Sequence, residues 1–375
     1  MPLSFVTTHG LFRLLMFGAL LSLCFLTSLL PGAVIEGRPF ASPLVSPLIS
    51  MDWVAQESGA LANLSAVFFI DRERGWIVGS NGTLLLTEDG GSKWRRVMLG
   101  NQEPLRDVRF LNAQRGLVLG EYGLFNRPNN PPKERSFLLA SIDGGLHWED
   151  LRLARRKVKS DDPKDYQGDG LMRFVFADEQ TGWACGETGL ILATKDGGQN
   201  WQTQISPTRK LLYDVTAINQ QQAWIVGTSG IVLRTMDGGQ HWSEQVSNTM
   251  QTLRAAHFID AQHGWAVGVG GTIIATVNGG QRWHAQSSGV DDNLNSVFFT
   301  SANEGWAAGD HSTLLHTLNG GATWERIALK TRTNLTRLFF IAPDCGWVVG
   351  ASGTIFKYQS TDGTPHPSLK KSEEQ

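Results

Sequence analysis

The sequence predicts an all-β fold, a seven-bladed propeller with four-stranded blades whose ring is closed by an N-terminal strand pairing into the last blade. Three observations predict it. All 13 tryptophans fall into two periodic sets, a leucine recurs 12 residues before each position of the first set, and paired glycines mark the same place in six of the seven copies. Glycine at 42 of 375 positions fits many tight turns, because only glycine enters positive φ without steric cost. Four short strands recurring at about 40 residues are the pattern of propeller blades.

Residues 1–30 precede the repeat and are expected to be a signal anchor or a signal peptide. The run 14–30 carries no charge and follows His9 and Arg13; its length suits either a short membrane span or a long secretory core. Both place the rest of the chain outside the cytoplasm. Residues 31–51 hold Pro31, Pro39, Pro43 and Pro47 and read as an extended spacer.

The propeller is expected over 52–359. The first tryptophans are Trp76, Trp183, Trp224, Trp265, Trp306 and Trp347, with Leu117 in the one vacant place. From Trp183 onward the spacing is 41 residues. The leucines are Leu64, Leu105, Leu171, Leu212, Leu253, Leu294 and Leu335. Strand a is the run that starts at each leucine. Strand b is G-W-x-V-G, strand c is the apolar run after the next glycine, and strand d starts near the second tryptophan. The b–c turn, as in Gly79-Ser80-Asn81-Gly82, needs positive φ, as primed hairpin turns do. No second tryptophan follows residue 350, whereas Trp53 lies 11 residues before Leu64, the spacing that also separates Trp94 from Leu105. The segment at Trp53 is therefore the expected strand d of blade 7, covering a sheet edge. Residues 360–375 are expected to be a disordered polar tail.

Two insertions interrupt the period, at 123–135 and around 155–166. One extends a b–c connection and the other a d–a connection, and both kinds lie on one face of a propeller. Insertions gathered on one face mark a binding face. They carry Arg127, Arg135, Arg155, Arg156 and Lys157, and the early strand-a positions add Arg106, Arg173, Arg254 and Arg337. The opposite face holds Asp71, Glu73, Asp178, Glu179, Asp260, Glu304 and Asp344. A chain of net charge -2 is thus divided into a basic and an acidic face. The basic one suits a protein partner with an acidic or carboxylate-bearing segment. The near-neutral balance argues against a nucleic-acid binder.

The c–d turns carry Asp89, Asp143, Asp196 and Asp237, and Asn278 and Asn319 at the same place. A short polar side chain there caps its own turn by accepting backbone N–H bonds. Its repetition argues for structure rather than catalysis. The nine histidines are scattered and only three cysteines exist, so neither a metal site nor a cofactor is expected, and Cys185 and Cys345 fall in non-adjacent blades.

The unit T-x-D-G-G-x-x-W preceded by G-W-x-V-G resembles the Asp-box turn of sialidase-like propellers. More closely, it resembles the photosystem II stability/assembly factor family of plastids and cyanobacteria. Asp71 to Gly79 followed by Thr87 to Trp94 matches that family's pattern in full. Asp178 to Gly186 followed by Thr194 to Trp201 matches with Cys185 in place of Val. The resemblance covers roughly 52–358 and implies a membrane-associated or lumenal, non-enzymatic scaffold. Such a scaffold aids assembly of a photosynthetic reaction-centre subunit and uses a basic surface. Two alternatives stay open. A generic bacterial envelope propeller would bind another protein. A sialidase-like glycoside hydrolase would gather Arg106, Arg254 and Arg337 with Tyr213, Asp107 and Asp214 at the channel mouth.

Overall fold

A computed structural model describes residues 51–123, 135–151, 155–156 and 170–360. The expected targeting segment, most of the spacer and the tail beyond residue 360 lie outside the described residues. Those described form seven sheets, each with four antiparallel strands. Strand a of blades 1–7 is Leu64–Phe69, Leu105–Phe110, Leu171–Phe176, Leu212–Ala217, Leu253–Phe258, Leu294–Phe299 and Leu335–Ala342. Each begins a sheet in which b, c and d follow in order. Each strand a touches that of the next blade, and that of blade 7 touches that of blade 1. The outer strand of the blade 7 sheet is Met51–Gln56, antiparallel to Ile355–Ser360 with Trp53 opposite Tyr358. Blade 3 has a fifth strand, Arg155–Arg156, parallel to Trp201–Thr203.

The core is divided into seven apolar clusters, one at each junction between neighbouring blades. A sheet has two faces, and in a propeller both are covered by neighbours, so strand b reads as a continuous buried run such as Gly75–Gly79. At most junctions one phenylalanine, the last residue of the L-x-x-x-x-F run, organises the packing. Phe299 lies flat against Trp265 of the preceding blade at 3.5 Å. It meets Trp324 of its own blade edge-on at 5.8 Å. Its third side is Gly305, where a Cβ would approach the ring to 2.5 Å. That contact is why the G of G-W is glycine. Phe69, Phe110 and Phe258 repeat the arrangement with Trp347, Trp76 and Trp224.

The c–d turns close through side chains. Thr87 Oγ1 accepts the Gly91 N–H at 2.8 Å and donates to Asp89 Oδ1 at 2.9 Å, while Asp89 Oδ1 accepts the Lys93 N–H at 2.9 Å. Asn278 accepts the Arg282 N–H at 2.9 Å in the same position. The b–c turns place two residues at positive φ, as with Asn81 and Gly82. Blade 6 departs from the expected glycine: His311 and Ser312 hold φ of 52° and 56°, a left-handed pair that costs each residue about 1 kcal/mol or more.

Candidate functional site

Strand a begins irregularly in every blade. After each leading leucine the register shifts, so that one residue has no partner on strand b. Such a bulge turns a side chain out of the regular alternation. The seven bulged residues are Ser65, Arg106, Met172, Tyr213, Arg254, Asn295 and Thr336, and all of them line one chamber of about 410 Å³. Arg173, Asp310 and Asn334 complete its wall. The chamber opens on the face of the b–c and d–a connections, because Glu121 and Asp310 belong to the b–c side.

The four strand-a arginines anticipated from the sequence occupy two levels. Arg106 and Arg254 sit at the bulge, on the rim. Arg173 and Arg337 stand one residue further along and lie deeper, 17% and 15% exposed. At the rim each guanidinium already faces a carboxylate. Arg106 binds Glu121, and Arg135 binds Glu121 at 3.1 Å and also Glu187. Arg254 donates to Asn295 Oδ1 at 2.6 Å and lies 4.0 Å from Asp310. Asn295 in turn donates to Asp310 Oδ1 at 2.9 Å. The mouth is therefore a ring of exchanged ion pairs rather than a bare cationic patch. Sequence reasoning missed Glu121, Glu187 and Asp310. Their signal was present, since each directly follows the second glycine of strand b. The acidic face is partly neutralised in the same way, by Arg72 on Asp344 and Arg74 on Asp71. Arg127 and Lys157 lie outside the described residues, and Arg155 and Arg156 are described only as the short strand.

The deeper level holds Asp107 and Asp214, which are almost fully buried. Each carboxylate accepts a backbone N–H from the inner strand of the next blade, Phe174 at 3.4 Å and Ala256 at 3.2 Å. Arg109 lies 3.0 Å from Asp107, and Arg337 lies 3.3 Å from Asp214. Arg173 spends its donors on the carbonyls of Arg106 and Ser65. Burial, reinforced by the positive charge of Arg337, lowers the pKa of Arg173 to about 10. Burial also lowers that of Arg109, against the pull of Asp107. For Arg337, Asp214 and Asp107 outweigh burial and raise it. His257 is driven down to about 4 by burial and by Arg337, and its Nδ1 accepts the Phe299 N–H.

This geometry bears on the hydrolase alternative. Arg106, Arg254 and Tyr213 do line one chamber, but Asp107 and Asp214 do not join them at its surface. Both are buried below it and committed to backbone N–H groups. Cys185 and Cys345 are free and buried. Among the described residues no group of three or more His, Cys, Asp or Glu is placed to hold a metal ion.

A family model described as photosynthesis system II assembly factor YCF48 matches residues 46–156, 97–257 and 244–333, together more than half of the sequence. The chain belongs to that family. Among curated proteins, the photosystem II assembly lipoprotein Ycf48 of Synechococcus sp. (strain CC9902) is 26% identical over 169 residues, 44% of this chain and 44% of the relative. The match thus spans less than half the length of that relative. Two of the solved structures that share the fold are themselves YCF48 proteins. One, YCF48 bound to a D1 peptide, has a TM-score of 0.65 at 24% identity and covers 82% of this chain and 97% of its own. The other, YCF48 from Cyanidioschyzon merolae, has a TM-score of 0.66 at 21% identity and covers 82% and 98%.

Proposed function

We propose that this member of the YCF48 family is a non-catalytic assembly factor, held outside the cytoplasm, whose channel-mouth face binds an acidic segment of a photosystem II reaction-centre subunit. The observation that carries this reading is the convergence of all seven bulged residues on one chamber rimmed by Arg106, Arg135 and Arg254. A related propeller of the same fold was solved with a D1 peptide bound, which supports a peptide of that kind as ligand. Because the rim arginines already have partners, an incoming carboxylate exchanges with Glu121 or Asp310 instead of meeting a free cation. Bidentate guanidinium–carboxylate geometry makes that exchange selective. The insertion cations Arg127, Arg155, Arg156 and Lys157 act at longer range, by steering encounter. The apolar segment 14–30 is the tether or export signal; the Synechococcus relative carries the name lipoprotein.

The test is binding of a labelled D1 peptide to the full chain. Arg254→Glu or Arg106→Glu is expected to weaken affinity by about tenfold or more, as for charge-assisted contacts. Reversal at Arg155 and Arg156 slows association and loses its effect in high salt. Glu73→Lys and Glu304→Lys, on the opposite face, leave binding intact. Equal loss from both faces, or none from either, overturns the reading. Turnover of fluorogenic sialosides that disappears in Tyr213→Phe overturns its non-catalytic part.

A further inference from the structure

The charges of the channel do not balance by level. At the rim Arg106, Arg135 and Arg254 stand against Glu121, Glu187 and Asp310. Below it Arg109, Arg173 and Arg337 stand against Asp107 and Asp214. The remaining titratable neighbours do not supply the missing negative charge. Burial keeps the Cys185 thiol protonated, and among the described residues His257 has no carboxylate partner. Among the described residues one guanidinium in excess is thus held in a level where the three arginines are 14–17% exposed, and an uncompensated charge so placed is costly. Arg109 is engaged by Asp107 and by the face of Phe68 at 5.7 Å, and Arg173 by two carbonyls. Arg337 makes one hydrogen bond among the described residues, to Asp214 at 3.3 Å, out of five N–H donors.

We propose that the channel below the mouth is a binding site for one small monovalent anion, of chloride or acetate size, held chiefly by Arg337 with Arg109 and Arg173 beside it. The anion completes a three-by-three arrangement and links blades 2, 3, 4 and 7, which contribute those five side chains. Phe68, Phe298 and Phe339 of the adjacent blades 1, 6 and 7, whose rings pack side by side, give one wall of the channel an apolar lining. The site needs no peptide partner, so it stands or falls separately from the function proposed above.

The full chain in detergent is melted in sodium chloride, sodium acetate and sodium gluconate at equal ionic strength, gluconate being too bulky to enter. Chloride and acetate are expected to raise Tm saturably, by about 2 °C or more over gluconate, and the protein is expected to broaden the chloride NMR line. Arg337→Gln leaves two arginines facing two carboxylates, so both effects disappear; Arg109→Gln does the same by a separate substitution. Glu73→Gln on the opposite face retains both. If the wild type melts identically in the three salts and leaves the chloride line unchanged, the proposal fails, as it would if a carboxylate of the chain's own insertions fills the place. It also fails if either arginine variant keeps the full salt response. Should both variants fail to fold, the wild-type line width and salt series decide alone.

Discussion

Blades 5 and 6 meet through stacked rings, whereas blades 3 and 4 meet in the same register through aliphatic groups. At the first junction Trp265 covers Phe299, and Phe299 rests on Gly305. At the second, Trp183 has Ala217 where the phenylalanine would be, and Ala223 stands where the glycine would be. Ala217 pairs with Ala223 just as Phe299 pairs with Gly305. The junction is still filled: Trp183, Ile191, Ile225 and Leu233 are completely buried. What the closed ring demands is a filled wedge, and Phe–Gly and Ala–Ala are two ways to fill it. Each member constrains the other, because a ring needs the missing Cβ and a methyl does not. The junction of blades 2 and 3 departs differently, with Leu117 in place of the tryptophan against Phe176. These two departures flank blade 3; a third lies between blades 6 and 7, where Trp306 stacks on His316 at 3.7 Å and Phe340 stands 6.0 Å away. The arc around blade 3 carries the insertions, Glu121 and Glu187 of the rim, and Asp107, Arg173 and Asp214 of the channel, while blades 1, 6 and 7 line the channel with Phe68, Phe298 and Phe339.

The largest expected effect is on the stacked side. Phe299→Ala removes a ring touched on three sides and should destabilise by about 3–5 kcal/mol; urea unfolding measures it. Gly305→Ala alone drives a methyl into the ring and should cost about 1–3 kcal/mol. The pair made together recreates the Ala–Ala solution and should lose clearly less than the sum, with a coupling of about 1 kcal/mol or more. The converse cycle is smaller. Ala217→Phe alone meets the Ala223 methyl and destabilises by about 1–3 kcal/mol. Adding Ala223→Gly restores stability by letting the new ring lie against Trp183. Additive losses in both cycles would mean that the two junctions are not alternative solutions to one packing problem.

Much of this was legible before any coordinates. The tryptophan and leucine periods gave blade number and strand order, because each blade repeats one packing problem and answers it with the same residue types. Even the swap at blade 4 left a trace, as A-W in place of G-W at Ala223. The basic positions were legible too, but their partners were not. Arg337 and Asp214 are 123 residues apart, and only the ring's curvature brings them together. The bulge after each leucine is set by how seven strands crowd around an axis, which no single repeat reveals. It separates Arg106 and Arg254 on the rim from Arg173 and Arg337 below. Arg109 carries no signal of its own in the sequence; its place is set by Asp107, 3.0 Å away.

The smallest expected effect separates blades 1–4 from blades 5 and 6 by pH. Blades 1–4 close their c–d turns with Asp89, Asp143, Asp196 and Asp237, while blades 5 and 6 use Asn278 and Asn319, which do not titrate. The four carboxylates are held below the usual value of 3.8. For Asp89 the leading cause is the Lys93 N–H. For Asp237 the His241 N–H and then the His241 ring lower it to about 2. A folded-state pKa below the unfolded one contributes stability that is complete above the unfolded value and is lost as pH falls through the folded one. For Asp237 that window runs from just above 3.8 down to about 2. These side chains are largely solvated, so the loss is local and leaves the fold intact. Amide exchange read by NMR at about pH 5 and about pH 1.5 brackets the window. Protection of the Lys93, Asn200 and His241 amides, which donate to the aspartates, should fall. The Arg282 and Thr323 amides, which donate to the asparagines, should hold. Asp237→Asn should transfer His241 to the second group. An equal fall at all five amides would show that acid loosens the ring as a whole, and the Asp and Asn turns would then not differ in their response.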